Sequence, residues 1–215
     1  MLIHDLQRMP YREAWTLQEK VHAEVLAGAE ERILFVEHPP VITFGRRAET
    51  MGQNNLLASA DALQKMGVEV VQSDRGGDIT FHGPGQLVIY PIIRLADHKL
   101  SVGGYVRRLQ EIVIAALHEL GVETHRDESA IGVWAGPADR PEKICSLGVR
   151  IRRGVSMHGL ALNVTTDLSY FNLIVPCGLC DRGVTSIQKI LGDKTASMDR
   201  VKQAVISAFS NMLFQ

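Results

Sequence analysis

The order of the apolar segments is the feature that most constrains what this 215-residue chain can fold into. Short apolar runs of strand character follow one another in blocks, and helical segments separate the blocks at irregular intervals. Regular alternation of strands and helices is typical of a doubly wound parallel sheet, whereas runs of neighbouring strands favour antiparallel pairing. The sequence therefore predicts an α/β (α+β) fold with a mixed, largely antiparallel sheet and flanking helices.

Hydrophobic periodicity and capping residues locate the individual elements. The predicted helices span Tyr11–Leu26, Asn54–Met66, Ser101–Leu120, Thr185–Leu191 and Ser197–Leu213. The predicted strands span Arg32–Glu37, Val41–Phe44, Val68–Gln72, Ile79–His82, Gln86–Ile93, Val122–His125, Ile131–Ala135, Lys143–Arg152 and Val155–Val164. Two hairpins are expected, one around Gly83-Pro84-Gly85 and one around Arg153-Gly154. We expect a single catalytic domain over residues 1–215, with a C-terminal helical segment that could pack separately.

Composition and charge argue against several classes of protein. The formal net charge is −1, whereas binding nucleic acid by bulk electrostatics requires a basic surplus. The apolar runs are too short to span a bilayer, and the N-terminal residues lack the pattern of a secretory signal. The three cysteines, an odd number, fit a reducing compartment better than a disulfide framework. We therefore expect a cytoplasmic protein that acts on neither nucleic acid nor membrane.

The segment from Arg75 to Gln86 is rich in glycine. Its four glycines permit positive φ angles and let a ligand approach the backbone closely, while Arg75 and His82 add hydrogen-bond donors. The alternative is a tight hairpin whose glycines serve only the turns. The sequence lacks the G-x-x-x-x-G-K-[ST] pattern, which argues against a phosphate-binding loop.

Cys177 lies between a proline and a glycine, directly after a short apolar run. Loops at strand ends often carry nucleophiles, although the common role of a free cysteine is that of a small buried hydrophobic residue. With Cys180 it also forms a C-x-x-C pattern, which allows redox chemistry or half of a zinc site. The further zinc ligands, from Cys145, His82 or His158, would have to come together through the fold.

Lys143 and Gly159 mark two further strands with unusual residues. Lys143 either blunts a sheet edge or points into a site, where it would stabilise a thiolate or accept a thiol proton. Gly159 and Ala161 share one face of the later strand. Their small side chains leave either a groove for an apolar chain or a surface for close packing against a helix.

Taken together, these motifs resemble those of the lipoyl(octanoyl) transferase family. The matching residues run in order from 38 to 186: His38-Pro39-Pro40, Gly45-Arg46, Arg75-Gly76-Gly77 with Thr80, His82-Gly83-Pro84-Gly85-Gln86, Lys143 with Gly148, His158-Gly159 with Leu162-Asn163-Val164, and Pro176-Cys177-Gly178 with Thr185-Ser186. Cys180 is outside the family pattern. The resemblance implies a fold similar to that of the biotin and lipoate protein ligases.

The resemblance also implies an activity and its partners. The family moves an octanoyl group from octanoyl-acyl carrier protein to a specific lysine of lipoyl domains. Those domains belong to the 2-oxo acid dehydrogenase complexes and to the glycine cleavage H protein. No ATP, metal or other cofactor is expected, because the donor is already an activated thioester on a phosphopantetheine arm.

The resemblance assigns roles to particular residues. Cys177 would carry the acyl group as a thioester, and Lys143 would lower the pKa of its thiol and later handle the amine proton. His82 would either assist proton transfer or only bond to the pocket wall. The walls of the acyl pocket are expected from three segments: Arg75, Gly76, Gly77, Asp78, Ile79, Thr80, Phe81 and His82; Ser146, Leu147 and Gly148; and Gly159, Leu160 and Ala161.

Two other classes remain open at this point. An ATP-dependent lipoate or octanoate protein ligase would share the implied fold without needing a cysteine nucleophile. A metal-binding module built on Cys177 and Cys180 would not be an enzyme.

The cluster of Arg150, Arg152 and Arg153 is either a solvated strand edge or a docking patch for an acidic partner such as acyl carrier protein.

Overall fold

The computed structural model describes residues 1–51, 55–137, 139–175 and 182–213, with the backbone alone at 49–51. The helices are α1 (Tyr11–Leu26), α2 (Arg46–Met51), α3 (Ala60–Lys65), α4 (Val102–Glu119), α5 (Ile187–Leu191) and α6 (Met198–Met212). The strands are β1 (Leu2–Arg8), β2 (Arg32–Glu37), β3 (Val41–Phe44), β4 (Glu69–Gln72), β5 (Ile79–His82), β6 (Gln86–Ile92), β7 (Thr124–His125), β8 (Val133–Ala135), β9 (Glu142–Arg152), β10 (Val155–Asn163) and β11 (Gly183–Val184).

The described strands form a large and a small sheet. The large sheet has the order β1-β2-β6-β10-β9-β8-β7, with β11 beside β9, and the small sheet has the order β4-β3-β5. Strand β1 runs parallel to β2, β4 to β3, and β11 to β9. The remaining described pairs are antiparallel. The predicted mixed, largely antiparallel sheet is confirmed.

Helices cover both faces of the large sheet. On one face, Leu109 of α4 and Phe209 of α6 share a core with Ile89 of β6. On the other face, Val21 of α1 packs with Val88 and with the other strand residues whose side chains point to that face. Because the central strand β6 is buried on both faces, its sequence is an almost continuous apolar run.

The packing of α6 corrects one expectation from the sequence. The C-terminal helix does not pack separately, since Val201, Val205 and Phe209 are fully buried in the main core beside α4. Its apolar stripe therefore faces the sheet layer that α4 also covers. Among the described helices, none is long and apolar enough to cross a bilayer.

The hairpin predicted around Gly83-Pro84-Gly85 is also wrong. Strand β5 pairs with β3 in the small sheet, while β6 pairs with β2 and β10 in the large one. The turn carries the chain from one sheet to the other. Gly85 has a φ of 78°, and a Cβ there would lie 2.7 Å from the carbonyl carbon of Thr165. The turn therefore docks on the segment after β10, which holds its two strands in different sheets.

The hairpin predicted at Arg153-Gly154 is confirmed, with Arg152 opposite Val155. Both turn residues have positive φ, 53° at Arg153 and 82° at Gly154, as a two-residue type I′ turn requires. Other boundaries differ from the prediction. Strand β1 and helix α2 were not predicted, and the helix predicted over Asn54–Met66 begins only at Ala60, after the N-cap Ser59.

Candidate active site

A cavity of about 390 Å³ is lined by residues from both sheets, by the loop 75–78 and by the loop 129–131. It brings together segments that are far apart in the sequence. The predicted site residues that line it are Arg75, Gly76, Gly77, Asp78, Ile79, Thr80, His82, Lys143, Ser146, Leu147, Gly148, Gly159, Leu160 and Ala161.

Among the described residues, Phe81 is the predicted site residue that does not line the cavity. Phe81 packs against the opposite side of the small sheet, where its ring stacks on Tyr170 at 4.7 Å and meets Phe171 edge-on. Side chains alternate along β5, so the neighbours Thr80 and His82 face away from Phe81 and line the cavity, as does Ile79 at the start of the strand. Cys177 lies outside the described residues, as does Cys180.

Glycines seat the loop 75–78 against β9. The amide of Gly76 donates to the carbonyl of Val149 at 3.0 Å. A Cβ on Gly76 would lie 2.8 Å from the Val149 oxygen, and one on Gly148 would lie 2.7 Å from the Gly76 oxygen. The two backbones therefore approach as closely as glycine alone permits.

The guanidinium of Arg75 is directed at backbone rather than at open space. Its Nη2 donates to the carbonyls of Thr43 and Asp78, at 2.6 and 2.8 Å. Its Nη1 donates to the carbonyl of Gly76 at 3.0 Å, and its Nε to the Thr43 hydroxyl at 3.0 Å. Arg75 thus fixes the glycine loop to β3, and a mainly structural role follows from these contacts.

Lys143 is buried on β9, with 7% of the residue exposed. Its Nζ lies 4.7 Å from the centre of the Trp134 ring, a cation–π contact. A Cβ on Gly132 would lie 2.9 Å from Lys143 Cε, so the glycine makes room for the lysine stem. These neighbours hold the lysine side chain in place, and Lys143 is one of the residues that line the cavity.

A cluster of buried aromatic and histidine side chains lies beside the cavity, and Tyr11, His82 and Tyr90 of this cluster line it. His38 Nδ1 donates to the carbonyl of Met9 at 2.7 Å, and Tyr90 donates its hydroxyl hydrogen to His38 Nε2 at 2.8 Å. Burial lowers the pKa of His38 to about 4. The Tyr11 ring stacks on His82 at 6.0 Å. These rings are therefore neutral near pH 7.

His158 is held by contacts from three directions. Its backbone N–H donates to Gln18 Oε1 at 2.8 Å, and its Nε2 lies 2.6 Å from Asp74 Oδ1. Asp74 also pairs with Arg150. Burial, followed by the charges of Arg75 and Arg150, lowers the pKa of His158 to about 3. The neutral ring therefore donates its Nε2 hydrogen to the Asp74 carboxylate.

The loop 129–131 closes another side of the cavity. Arg182 pairs with Asp127 and donates from Nη2 to the Ser129 hydroxyl at 2.9 Å. Hydrogen bonds from Ser129, assisted by Arg182, lower the pKa of Asp127 to about 2. The loop is thus tied to the chain that follows the Pro-Cys-Gly motif.

Sequence reasoning missed several residues that line the cavity: Tyr11, Arg47, Val88, Tyr90, Val106, Ser129, Ala130, Ile131, Val149 and His158. Only His158 stood in a motif. Tyr90 gave a weak signal, a hydroxyl inside an apolar strand that is buried on both faces. The others gave none, because they reach the cavity through the fold.

Cys145 has properties unlike those of a nucleophile. It is fully buried in the main core. Burial raises the pKa of its thiol to about 12. Its sulfur is therefore protonated and shielded at neutral pH. Within the described residues, no group of three or more His, Cys, Asp or Glu side chains is placed to hold a metal ion.

Residues 10–210 match the family described as the Lipoyl protein ligase A/B catalytic domain, which is the class that this fold and cavity define. A curated relative from Bacteroides fragilis (strain YCH46), called Octanoyltransferase, is 47% identical over 206 residues, which is 93% of this chain and 91% of the relative. The chain therefore belongs to the octanoyltransferase family.

Solved structures share the fold at low sequence identity. Lipoate-protein ligase A bound with ATP is 20% identical, with a TM-score of 0.78 over 100% of this chain and 86% of that one. An archaeal bipartite lipoate protein ligase from Thermoplasma acidophilum, described with its E2 lipoyl domain, is 19% identical, with a TM-score of 0.74 over 98% and 83%. Biotin protein ligase from Aquifex aeolicus has a TM-score of 0.53 at 13% identity, over 99% and 68%. The predicted likeness to the biotin and lipoate ligase fold is confirmed.

Proposed function

We propose that this acyltransferase carries an octanoyl group on Cys177 as a thioester and passes it from acyl carrier protein to a lysine of a lipoyl domain. Transfer of an octanoyl group is the chain's function, as its relatives indicate. The observation that supports the rest is the cavity, which joins Lys143 to the glycine-rich segments 75–78, 146–148 and 159–161. Residues 1–215 would act as one catalytic domain.

The proposed chemistry is a double displacement. The Cys177 thiolate attacks the carbonyl of the donor thioester, and the pantetheine thiolate leaves. The lysine amine then attacks the acyl-enzyme, forming the amide bond while the Cys177 sulfur leaves and regains a proton. The first exchange is nearly neutral in energy and amide formation is downhill, so the scheme needs no ATP, metal or other cofactor.

Lys143 is proposed as the partner of Cys177 in both steps. A buried ammonium near the thiol would favour the thiolate, and the same side chain would relay the proton from the amine to the sulfur. The developing oxyanion would be held by backbone N–H groups of the glycine-rich turns. This role is supported by the glycines, which bring the backbone to the cavity surface.

The apolar side of the cavity suits the acyl chain. Leu160 and Ala161 of β10 are among the lining residues, together with Val106 of α4 and Ile131. Burying each methylene of a bound chain contributes about 0.8 kcal/mol. A closed end would reject longer chains by steric overlap, which gives a basis for selecting eight carbons.

Arginines near the cavity support docking of an acidic carrier protein. Arg47 lines the cavity, and Arg46 and Arg152 are exposed. Desolvation first, and then the nearby charges of Arg152 and Arg46, lower the pKa of Arg150. Such a concentration of positive charge would attract acyl carrier protein, with Arg153 at the adjoining hairpin tip.

The acceptor is proposed to be a lipoyl domain of a 2-oxo acid dehydrogenase complex or of the glycine cleavage H protein. The archaeal structural neighbour is described with its E2 lipoyl domain, which supports this class of partner. The odd cysteine count and the need to meet acyl carrier protein support a cytoplasmic location.

The decisive experiment is intact-mass spectrometry of the protein after incubation with octanoyl-acyl carrier protein in the absence of ATP. We expect a gain of one octanoyl group, its loss in Cys177→Ser, and its discharge when an apo lipoyl domain is added. Cys180→Ser, a substitution in the same segment but outside the family pattern, is the matched control and should acylate normally.

Three further results would change the proposal. Transfer that requires ATP and free octanoate would move the chain to the ligase class and make Cys177 a structural residue. A Lys143→Ala variant with unimpaired half reactions would remove the lysine from the scheme. Zinc bound to the purified protein and lost in Cys177→Ser would favour a metal site instead.

A further inference from the structure

A directional chain of buried hydrogen bonds runs from Asn163 on β10 to Gln86 on β6. Asn163 Nδ2 donates to the carbonyl of Thr185 at 3.0 Å, and a carbonyl can only accept. This contact fixes the orientation of the Asn163 amide, so its Oδ1 is the acceptor for Gln86 Nε2 at 2.9 Å. Gln86 Nε2 also donates to the carbonyl of Phe81 at 3.2 Å.

The chain determines which nitrogen of His82 carries hydrogen. Since its amide nitrogen is engaged, Gln86 presents only Oε1 to His82 Nδ1, at 2.7 Å. Two acceptors cannot bond without a hydrogen between them, so Nδ1 is protonated. Burial, and then the charges of His38 and Arg75, lower the pKa of His82 well below its usual value. The ring is therefore neutral and Nε2 carries a bare lone pair.

The bare nitrogen belongs to a residue that lines the cavity. His82 Nε2 makes no hydrogen bond within the part of the chain that the structure describes. An unprotonated Nε2 cannot donate to a developing oxyanion. It can only accept a hydrogen bond from a group that enters the cavity.

We propose that Gln86 and Asn163 are positioning residues that hold His82 in its Nδ1–H tautomer, so that Nε2 accepts an N–H of the incoming lysine amine. The inference rests on the proposed function. Of the groups that the substrates bring to the second half reaction, the acyl chain has no polar hydrogen and the thioester carbonyl only accepts. The amine brings N–H donors, which match the acceptor on His82.

The hydrogen bond from the amine to His82 Nε2 would orient the amine. His82 would not be the final acceptor of the proton. The nitrogen lone pair forms the C–N bond, the C–S bond of the acyl-enzyme breaks, and the sulfur of Cys177 leaves with the electron pair. The proton that the nitrogen loses ends on that sulfur by way of Lys143. His82 contributes orientation, which is an established source of rate enhancement.

The tautomer can be measured directly by NMR of the whole protein labelled with ¹⁵N-histidine. The His82 signal is assigned by its absence in His82→Gln. We expect Nδ1 to be protonated and Nε2 unprotonated near neutral pH in the wild type. Asn163→Ala frees the Gln86 amide to turn and should give a mixture of His82 tautomers. If that variant does not fold, Gln86→Glu gives a second test, because it should alter the ¹⁵N chemical shift of His82 Nδ1. A wild-type ring protonated at Nε2 would overturn the proposal.

The role of the tautomer is tested by separating the two half reactions. Octanoyl-enzyme is prepared first, and its discharge to an apo lipoyl domain is followed in a single turnover. We expect His82→Leu to slow discharge by about tenfold, with a smaller effect on acyl-enzyme formation. His82→Gln, which offers an amide oxygen near the position of Nε2, should recover part of the rate.

A buried histidine away from the cavity provides the control. His22 bonds through Nε2 to the carbonyl of Arg152, and His22→Gln should leave both half reactions unchanged. Discharge by His82→Leu at the wild-type rate, or an equal loss of rate in both half reactions, would contradict the proposal. Absence of any acyl-enzyme in the wild type would instead defeat the proposed function, while the NMR result would still report the tautomer.

Discussion

The glycines beside the cavity act through the absence of a side chain. Gly76 and Gly148 bring the loop 75–78 against β9 at distances that a Cβ would not allow. The guanidinium of Arg75 then bonds to the carbonyls around this contact. At the scale of single residues, the cavity wall therefore depends on closely spaced backbone atoms and on the hydrogen bonds that Arg75 makes to them.

Gly148→Ala should move the loop 75–78 away from β9. A Cβ would lie 2.7 Å from the Gly76 oxygen, so the backbone must shift. We expect a loss of about 1–3 kcal/mol in the free energy of unfolding and slower acylation by octanoyl-acyl carrier protein. Gly103 in α4 has open space around it, and Gly103→Ala should stabilise by about 0.5–1 kcal/mol. Urea denaturation compares the two, and an unaffected Gly148→Ala would contradict the account of the wall.

The neutral histidines should make stability depend on pH. The folded pKa of His38 is about 4, below its usual value of 6.5. Between these values the unfolded chain binds a proton that the folded chain does not, so stability is full above about pH 6.5 and falls toward pH 4. For His38 the loss is about 3 kcal/mol. In His38→Asn, which keeps a donor toward Met9, urea denaturation should show a shallower decline, and an unchanged slope would argue against a neutral buried ring.

At the scale of elements, β6 and β10 are interrupted beside the cavity. The pairs Leu160 with Ile89 and Val155 with Arg94 place His158 opposite Pro91. Proline has no N–H to give to the ladder. His158 has a φ of 55°, and its own N–H turns to Gln18 of α1. A side chain of helix α1 therefore accepts a hydrogen bond from the backbone of β10 at this position.

Gln18→Met should therefore disturb β10 from a distance. It keeps the volume of a fully buried side chain but removes the acceptor of the His158 amide. An unsatisfied buried N–H costs about 1–3 kcal/mol. Hydrogen exchange should show faster exchange of the His158 amide, and urea denaturation should show the lower stability. Lys20→Met on the exposed side of α1 is the control. Equal protection in both variants would show that Gln18 is not the partner.

At the scale of the whole molecule, the two ends of the chain are joined. Lys202 of α6 pairs with Asp5 of β1 at 2.7 Å, and α6 lies in the core formed with α4. The fold places the C-terminal helix and the N-terminal strand in one cooperative unit. Loss of either end should weaken the sheet that carries the cavity.

Phe209→Ala should destabilise the entire molecule. The side chain is fully buried in the main core, and removal of a buried phenylalanine ring costs about 3–5 kcal/mol. We expect one cooperative unfolding transition at lower urea, with matching curves from fluorescence and circular dichroism. Gln203→Ala, on the exposed face of the same helix, should change little. Two separate transitions would mean that α6 is an independent unit.

Local pattern in the sequence determined much of this protein. The bounds of α1 and β2 match the prediction, because helical periodicity and short apolar runs are local signals. The Arg153-Gly154 hairpin was signalled by Gly154, which adopts positive φ without steric cost. The family motifs also marked the glycine-rich and lysine segments that line the cavity, since those residues are chemically distinctive where they stand.

Tertiary structure alone decided the rest. It placed β5 and β6 in different sheets, paired the mostly exposed β1 parallel to β2, and turned the guanidinium of Arg75 to carbonyls of β3 and of its own loop. It also brought Tyr90 to His38, and Asn163 to Gln86, the partner of His82. These outcomes depend on contacts between residues far apart in the chain. Local sequence specifies the type of an element, but the free energy that selects its neighbours comes from packing and hydrogen bonds formed only on folding.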